Sequence, residues 1–167
     1  MNQDKTINSK AKKLGLLLKR GKLSLSCAES ATGGLLSHAI TNNAGSSDYF
    51  PLGIVTYSNQ AKIKLLNVPG KIIEKYGAVS RQCARQMAKG IKKKIDSDIA
   101  LSITAIAGPS SPSSEKPVGL AYISICGIDG KTQTTEENFK GSRLKIKHKI
   151  VNKALSMLIS YLENAEK

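Results

Sequence analysis

Residues 99–106, Ile-Ala-Leu-Ser-Ile-Thr-Ala-Ile, are nearly all apolar, and this run constrains the fold more than any other. A strand with one wet face alternates polar and apolar side chains; one buried on both faces reads as a near-continuous apolar run. Such a strand needs cover on both sides, and the chain around it supplies helices. Ile7, Ala11, Leu14 and Leu18 repeat at helical spacing over 6–20, with Gly21 as a stop. A strand at 23–28 leads into a helix over 33–43. A strand at 52–57 leads into a helix that Ser58 caps and that carries Lys62, Leu65 and Leu66. Pro69 opens a short helix ending at Gly77, and Ser80 caps a longer one whose Cys83, Met87 and Ile91 form one stripe. Past the central run come strands at 119–126 and 131–139, joined by Asp129-Gly130 as a hairpin turn. A helix over 142–164 follows, its apolar face being Leu144, His148, Val151, Leu155, Leu158 and Leu162. This order predicts a single three-layer α/β/α domain over 1–167, with a mixed, mostly parallel sheet of about five strands.

Charge limits the partners. The chain carries 26 basic against 12 acidic residues, a net +14, spread over the first, middle and last helices. Aromatic residues are only 4% and tryptophan is absent, poor material for stacking bases. A solvated basic surface is therefore expected, with nucleic acid bound only non-specifically and at low salt. No apolar run approaches the length of a membrane span, and the first residues lack the apolar core of a secretory signal, so a cytoplasmic location without membrane contact is expected. Cys27, Cys83 and Cys126 have neither disulfide-framework nor zinc spacing, and each sits among apolar residues as a small hydrophobe would. The last helix offers its stripe either to its own sheet or to a second subunit, so a homo-oligomer stays open.

In an open α/β sheet, ligands gather at the carboxyl ends of the strands. Three such ends here carry reactive or anion-binding groups. Ser30, Thr32, Gly33 and Gly34 follow the first strand; Tyr57, Asn59 and Lys62 follow the second; Thr104, Gly108 and a loop over 110–117 follow the central one. Glycines beside a helix start leave amides open to a phosphate or an oxyanion, and Ser30 could attack an acyl carbon there. The same residues are good caps and turn formers, so the pattern alone leaves Ser30 between a cap and a nucleophile. His38 and His148 both fall inside helices, which argues against a Ser-His-Asp arrangement. A lysine with a lowered pKa can activate serine instead, and Lys62 is the best placed, though most lysines are merely solvated.

Seven short segments occur in register: Ala28-Glu-Ser-Ala-Thr-Gly-Gly34, Ala44-Gly-Ser-Ser47, Val55-Thr-Tyr-Ser-Asn59 with Lys62, Gly77-Ala-Val-Ser80, Ile106-Ala-Gly-Pro109, Glu115-Lys-Pro-Val-Gly119 and Phe139-Lys-Gly-Ser-Arg143. Together they resemble the CinA C-terminal domain family, in its stand-alone form of the nicotinamide-nucleotide amidase type. The resemblance implies hydrolysis of nicotinamide mononucleotide to nicotinate mononucleotide and ammonia, with neither metal nor cofactor. It implies Ser30 as nucleophile, Lys62 as general base, and Tyr57 beside them to orient or share the proton. Thr32, Gly33, Gly34 and Thr104 would line the carboxamide and ribose; Arg143 would hold the 5′-phosphate. Amides at the Gly33 helix start would stabilise the oxyanion. Ala31 stands where members often have cysteine, and Ala105 where they usually have glycine, a methyl that would strain a backbone needing positive φ. The rival reading is a CinA-like protein of weak or no activity, which binds a pyridine nucleotide or has a competence- or DNA-linked role.

Overall fold

The central apolar run folds into β3 (Ile99–Ala105), at the middle of a five-stranded sheet of order β2–β1–β3–β4–β5. The computed structural model describes residues 2–111 and 115–165; positions 112–114 of the expected loop lie outside them. β1 (Leu25–Glu29) pairs in parallel with β2 (Leu52–Val55) on one side and β3 on the other. β4 (Leu120–Cys126) and β5 (Thr132–Asn138) extend the sheet antiparallel. The helices are α1 (Asn2–Gly21), α2 (Leu35–Thr41), α3 (Asn59–Leu66), α4 (Gly70–Tyr76), α5 (Arg81–Ile95) and α6 (Arg143–Ala165). Among the described residues, no helix is long and apolar enough to cross a membrane.

The two faces of the sheet are built differently. Leu25, Cys27, Ile99, Leu101, Ile103 and Ile123 point into the larger core, beneath α1, α2 and α6. The opposite face carries small residues: Ser26, Ala28, Ala100, Ser102 and Ser124, all fully buried. Small side chains let α5 ride close over the strands, and each hydroxyl finds a partner: Ser102 Oγ donates to the Ala84 carbonyl at 2.6 Å, Ser26 Oγ pairs with Ser97 Oγ at 2.7 Å and Ser124 Oγ with Thr134 Oγ1 at 2.9 Å. That explains a central strand with two polar residues and no wet face.

Most caps form where the sequence places them. The Ser58 side chain accepts the Ala61 amide and that of Ser80 accepts the Cys83 amide. The expected apolar face of α6 holds at Val151, Leu155, Leu158 and Leu162, all buried, but its first turn differs: Leu144 is 62% exposed, and Ile146 and Ile150 are buried instead. His148 Nε2 meets Asp4 Oδ1 at 3.1 Å, whereas His38 is exposed. The three cysteines are free and buried.

α3 is pinned on α5 through Gly90, where an added Cβ would lie 2.0 Å from the Leu66 carbonyl oxygen. Gly90→Ala would gain about 1 kcal/mol of helix propensity. The backbone it meets cannot yield as a side chain would, so overpacking dominates and a net loss of about 2 kcal/mol is expected in urea unfolding.

Candidate active site

β1 has β2 on one side and β3 on the other, so successive connections leave it in opposite directions. The crevice outside the carboxyl ends of β1 and β3 is the place where such sheets hold ligands. β1 ends at Glu29, and the chain turns through residues 30–34 before α2 begins. Gly33 and Gly34 have φ of 63° and 93°, a region open to glycine at no steric cost, so α2 starts at Leu35 rather than at 33. Ser30 sits in that turn, nearly buried, on a cavity of about 230 Å³. Lys62, Tyr57, Thr104, Ala105, Gly108 and Arg143 also border it. A larger depression of about 510 Å³ lies between β5 and α6 and holds none of these groups.

Ser58 starts α3 so that Lys62 falls one turn in, pointing under the sheet end. Its side chain is only 1% exposed. Nζ lies 3.1 Å from Ser30 Oγ and donates to the carbonyls of Thr56 at 2.7 Å and Tyr57 at 3.2 Å. Among the described residues no carboxylate pairs with it. Burial holds its pKa below the ordinary value of 10.5, with the Cys83 thiol opposing weakly. A neutral amine has two N–H groups and one lone pair. Two carbonyls take the N–H groups, and the lone pair is left for the Ser30 hydroxyl. The geometry thus suits an amine that accepts a proton from serine.

The other expected residues divide. Thr104 donates through Oγ1 to the Ala78 carbonyl at 2.8 Å, and Asn59, exposed at the start of α3, borders the same cavity. Arg143 stands at the mouth, bonded through Nη1 to the Gly108 carbonyl and through Nη2 to the Tyr57 hydroxyl at 3.0 Å. Tyr57 borders the cavity with Ser30 and Lys62; the residue is 63% exposed, its hydroxyl accepts from Arg143 and its carbonyl accepts from Lys62. Thr32, Gly33 and Gly34 do not border the cavity. Thr32 is buried, its Oγ1 without a partner among the described residues, Gly33 faces the Lys147 ammonium, and Gly34 faces Val55.

The oxyanion role expected of that helix start is likewise closed. The Gly33 amide bonds the Ser30 carbonyl, the Leu35 amide the Thr32 carbonyl, and the Gly34 amide a carboxylate oxygen of Glu29. Ala31 borders the cavity, and among the described residues its amide has no partner. Ala105 has no positive φ, so its methyl carries no backbone strain and forms part of the cavity wall. Glu29 is the residue that sequence reasoning passed over. The available signal was an acidic side chain closing a buried strand, which requires a dedicated set of donors nearby.

A family model described as the CinA C-terminal domain matches residues 7–162. A Halothermothrix orenii relative, provisionally named a competence-damage inducible protein, is 44% identical over 150 residues, covering 90% of this chain and 36% of the relative. One from Clostridium perfringens, named likewise, is 45% identical over 153 residues, covering 92% and 37%. The chain thus spans little more than a third of the length of these curated relatives. Among solved structures, the competence/damage inducible protein CihA from Agrobacterium tumefaciens is similar with a TM-score of 0.90 at 38% identity, covering 95% of this chain and 96% of that one. A CinA superfamily protein from Klebsiella pneumoniae gives 0.92 at 27% identity, covering 95% and 98%.

Proposed function

The chain belongs to the CinA C-terminal domain family, and from that premise we propose that it is a serine amidase converting nicotinamide mononucleotide to nicotinate mononucleotide and ammonia. The observation that carries this reading is the 3.1 Å approach of the Lys62 amine to the Ser30 hydroxyl at the edge of a cavity. A buried lysine without a carboxylate partner is costly to a fold, and such groups collect at sites of chemistry.

Ser30 Oγ attacks the carboxamide carbon while its proton passes to Lys62 Nζ. The Ala31 amide, unpartnered among the described residues at the cavity edge, would donate to the oxygen as it gains charge. When the C–N bond breaks, Lys62 returns the proton to the departing nitrogen, which leaves as ammonia. Water, deprotonated by the same amine, then cleaves the nicotinoyl ester, and Lys62 passes that proton to Ser30 Oγ as it leaves, which restores the hydroxyl and the neutral amine. The pyridinium ring withdraws electrons from the carbonyl, and its charge further disfavours the ammonium form of Lys62.

Arg143 would meet the 5′-phosphate, for which a guanidinium offers two parallel N–H bonds. Arg143→Met is expected to raise KM for the nucleotide by roughly thirtyfold with a smaller change in kcat, the loss of one charge-assisted contact. The deciding experiment is ammonia release from nicotinamide mononucleotide by the pure protein, with calorimetry beside it. No release overturns the reading. Tight binding of the nucleotide without turnover would favour the rival binding protein.

A further inference from the structure

The buried carboxylate next to the nucleophile has no part in the chemistry above. Glu29 is fully buried, and among the described residues no ion pair reaches it. Its oxygens accept four hydrogen bonds: from the amides of Gly34 at 3.1 Å, Leu36 at 3.2 Å and Ser37 at 2.8 Å, and from Ser37 Oγ at 2.7 Å. All four donors belong to the turn after Ser30 and the first residues of α2. The Glu29 carbonyl accepts the Thr56 amide at 2.8 Å. The Thr56 carbonyl in turn receives Lys62 Nζ at 2.7 Å.

We propose that Glu29 is the positioning residue of the Ser30–Lys62 pair, its side chain fixing the turn that presents the hydroxyl and its main chain fixing the segment that holds the amine. The proposal rests on the amidase reading for its catalytic consequence. It also accounts for part of the closed helix start: the carboxylate occupies the Gly34, Leu36 and Ser37 amides, while the Ser30 and Thr32 carbonyls take those of Gly33 and Leu35.

Glu29→Gln tests it. An amide keeps the size of the side chain but turns an NH₂ group toward N–H donors, so the turn must shift. We expect kcat to fall roughly hundredfold, the cost of a displacement near 1 Å, with KM within about threefold. Labelling of Ser30 by a fluorophosphonate should slow in parallel, and a crystal structure of the variant should have the Ser30–Lys62 contact open. Glu29→Asp, which keeps the charge, should recover part of the rate. Ile150→Val, in the core and not bordering the cavity, supplies a destabilised control whose folded fraction should keep full kcat and full labelling. The proposal is overturned if Glu29→Gln loses rate only in proportion to its unfolded fraction, or keeps both the contact and the labelling rate. If the native protein releases no ammonia, the amidase reading fails, while the labelling rate and the crystal contact still decide the role of Glu29.

Discussion

Ser30→Ala is expected to cut ammonia release from nicotinamide mononucleotide by roughly ten-thousandfold or more, the loss typical of removing an attacking atom. KM should hardly move, because the groups at the cavity mouth, Arg143 above all, remain in place. The fold should also hold. Lys62 Nζ is the sole hydrogen-bond partner of Ser30 Oγ among the described residues, and that amine keeps the carbonyls of Thr56 and Tyr57 after the hydroxyl is gone. A melting curve superimposable on that of the native protein, with turnover abolished, is therefore the expected pair of results. Full turnover by Ser30→Ala would falsify nucleophilic catalysis by this residue. Trapping of a nicotinoyl ester on Ser30 by rapid acid quench, visible as added mass on the peptide that contains residues 28–34, supplies the positive counterpart.

The fold was legible because its signals are local. Apolar periodicity and the caps at Ser58 and Ser80 locate the helices, and the unbroken run at 99–106 demands cover on both faces. The start of α6 was less legible: Leu144 and Ile146 are both apolar, and only tertiary packing decides which is buried. At the site, the strand-end rule pointed Ser30, Lys62 and Thr104 to one crevice, since a parallel pair of crossovers delivers such ends together, whereas Arg143, at the start of α6, was reached only through the family resemblance. What it could not deliver was the ownership of each hydrogen bond. Two glycines before a helix look like an open anion seat in one dimension. In three dimensions a carboxylate from the preceding strand and two carbonyls of the turn itself fill that seat, and a tyrosine named for its phenol contributes its carbonyl to the base. Competition for donors is a non-local property, and a linear motif does not record it.

Lys62→Met should be nearly as damaging to turnover as loss of the serine, and its stability should carry a signature that no solvated lysine would leave. Methionine fills the space but takes no proton, so kcat is expected to fall roughly a thousandfold or more. Lys62→Arg should fail as well, because a guanidinium stays protonated. In the native protein kcat/KM should rise with pH as the amine loses its proton, with the limb below 10.5 because burial lowers the folded pKa. The same shift sets the sign for stability. Between the folded pKa and 10.5 the unfolded chain binds more protons at this site than the folded one, so the Lys62 contribution to unfolding free energy rises with pH across that window. It is most unfavourable below the folded pKa, where the charge itself is buried, and its penalty vanishes above 10.5. Subtracting the unfolding free energy of Lys62→Met from that of the native protein, pH by pH, isolates this contribution from the other lysines. The difference should climb toward alkaline pH. A flat difference would mean that the amine titrates as it does in water, which would remove the base from the Ser30 hydroxyl and the proposed chemistry with it.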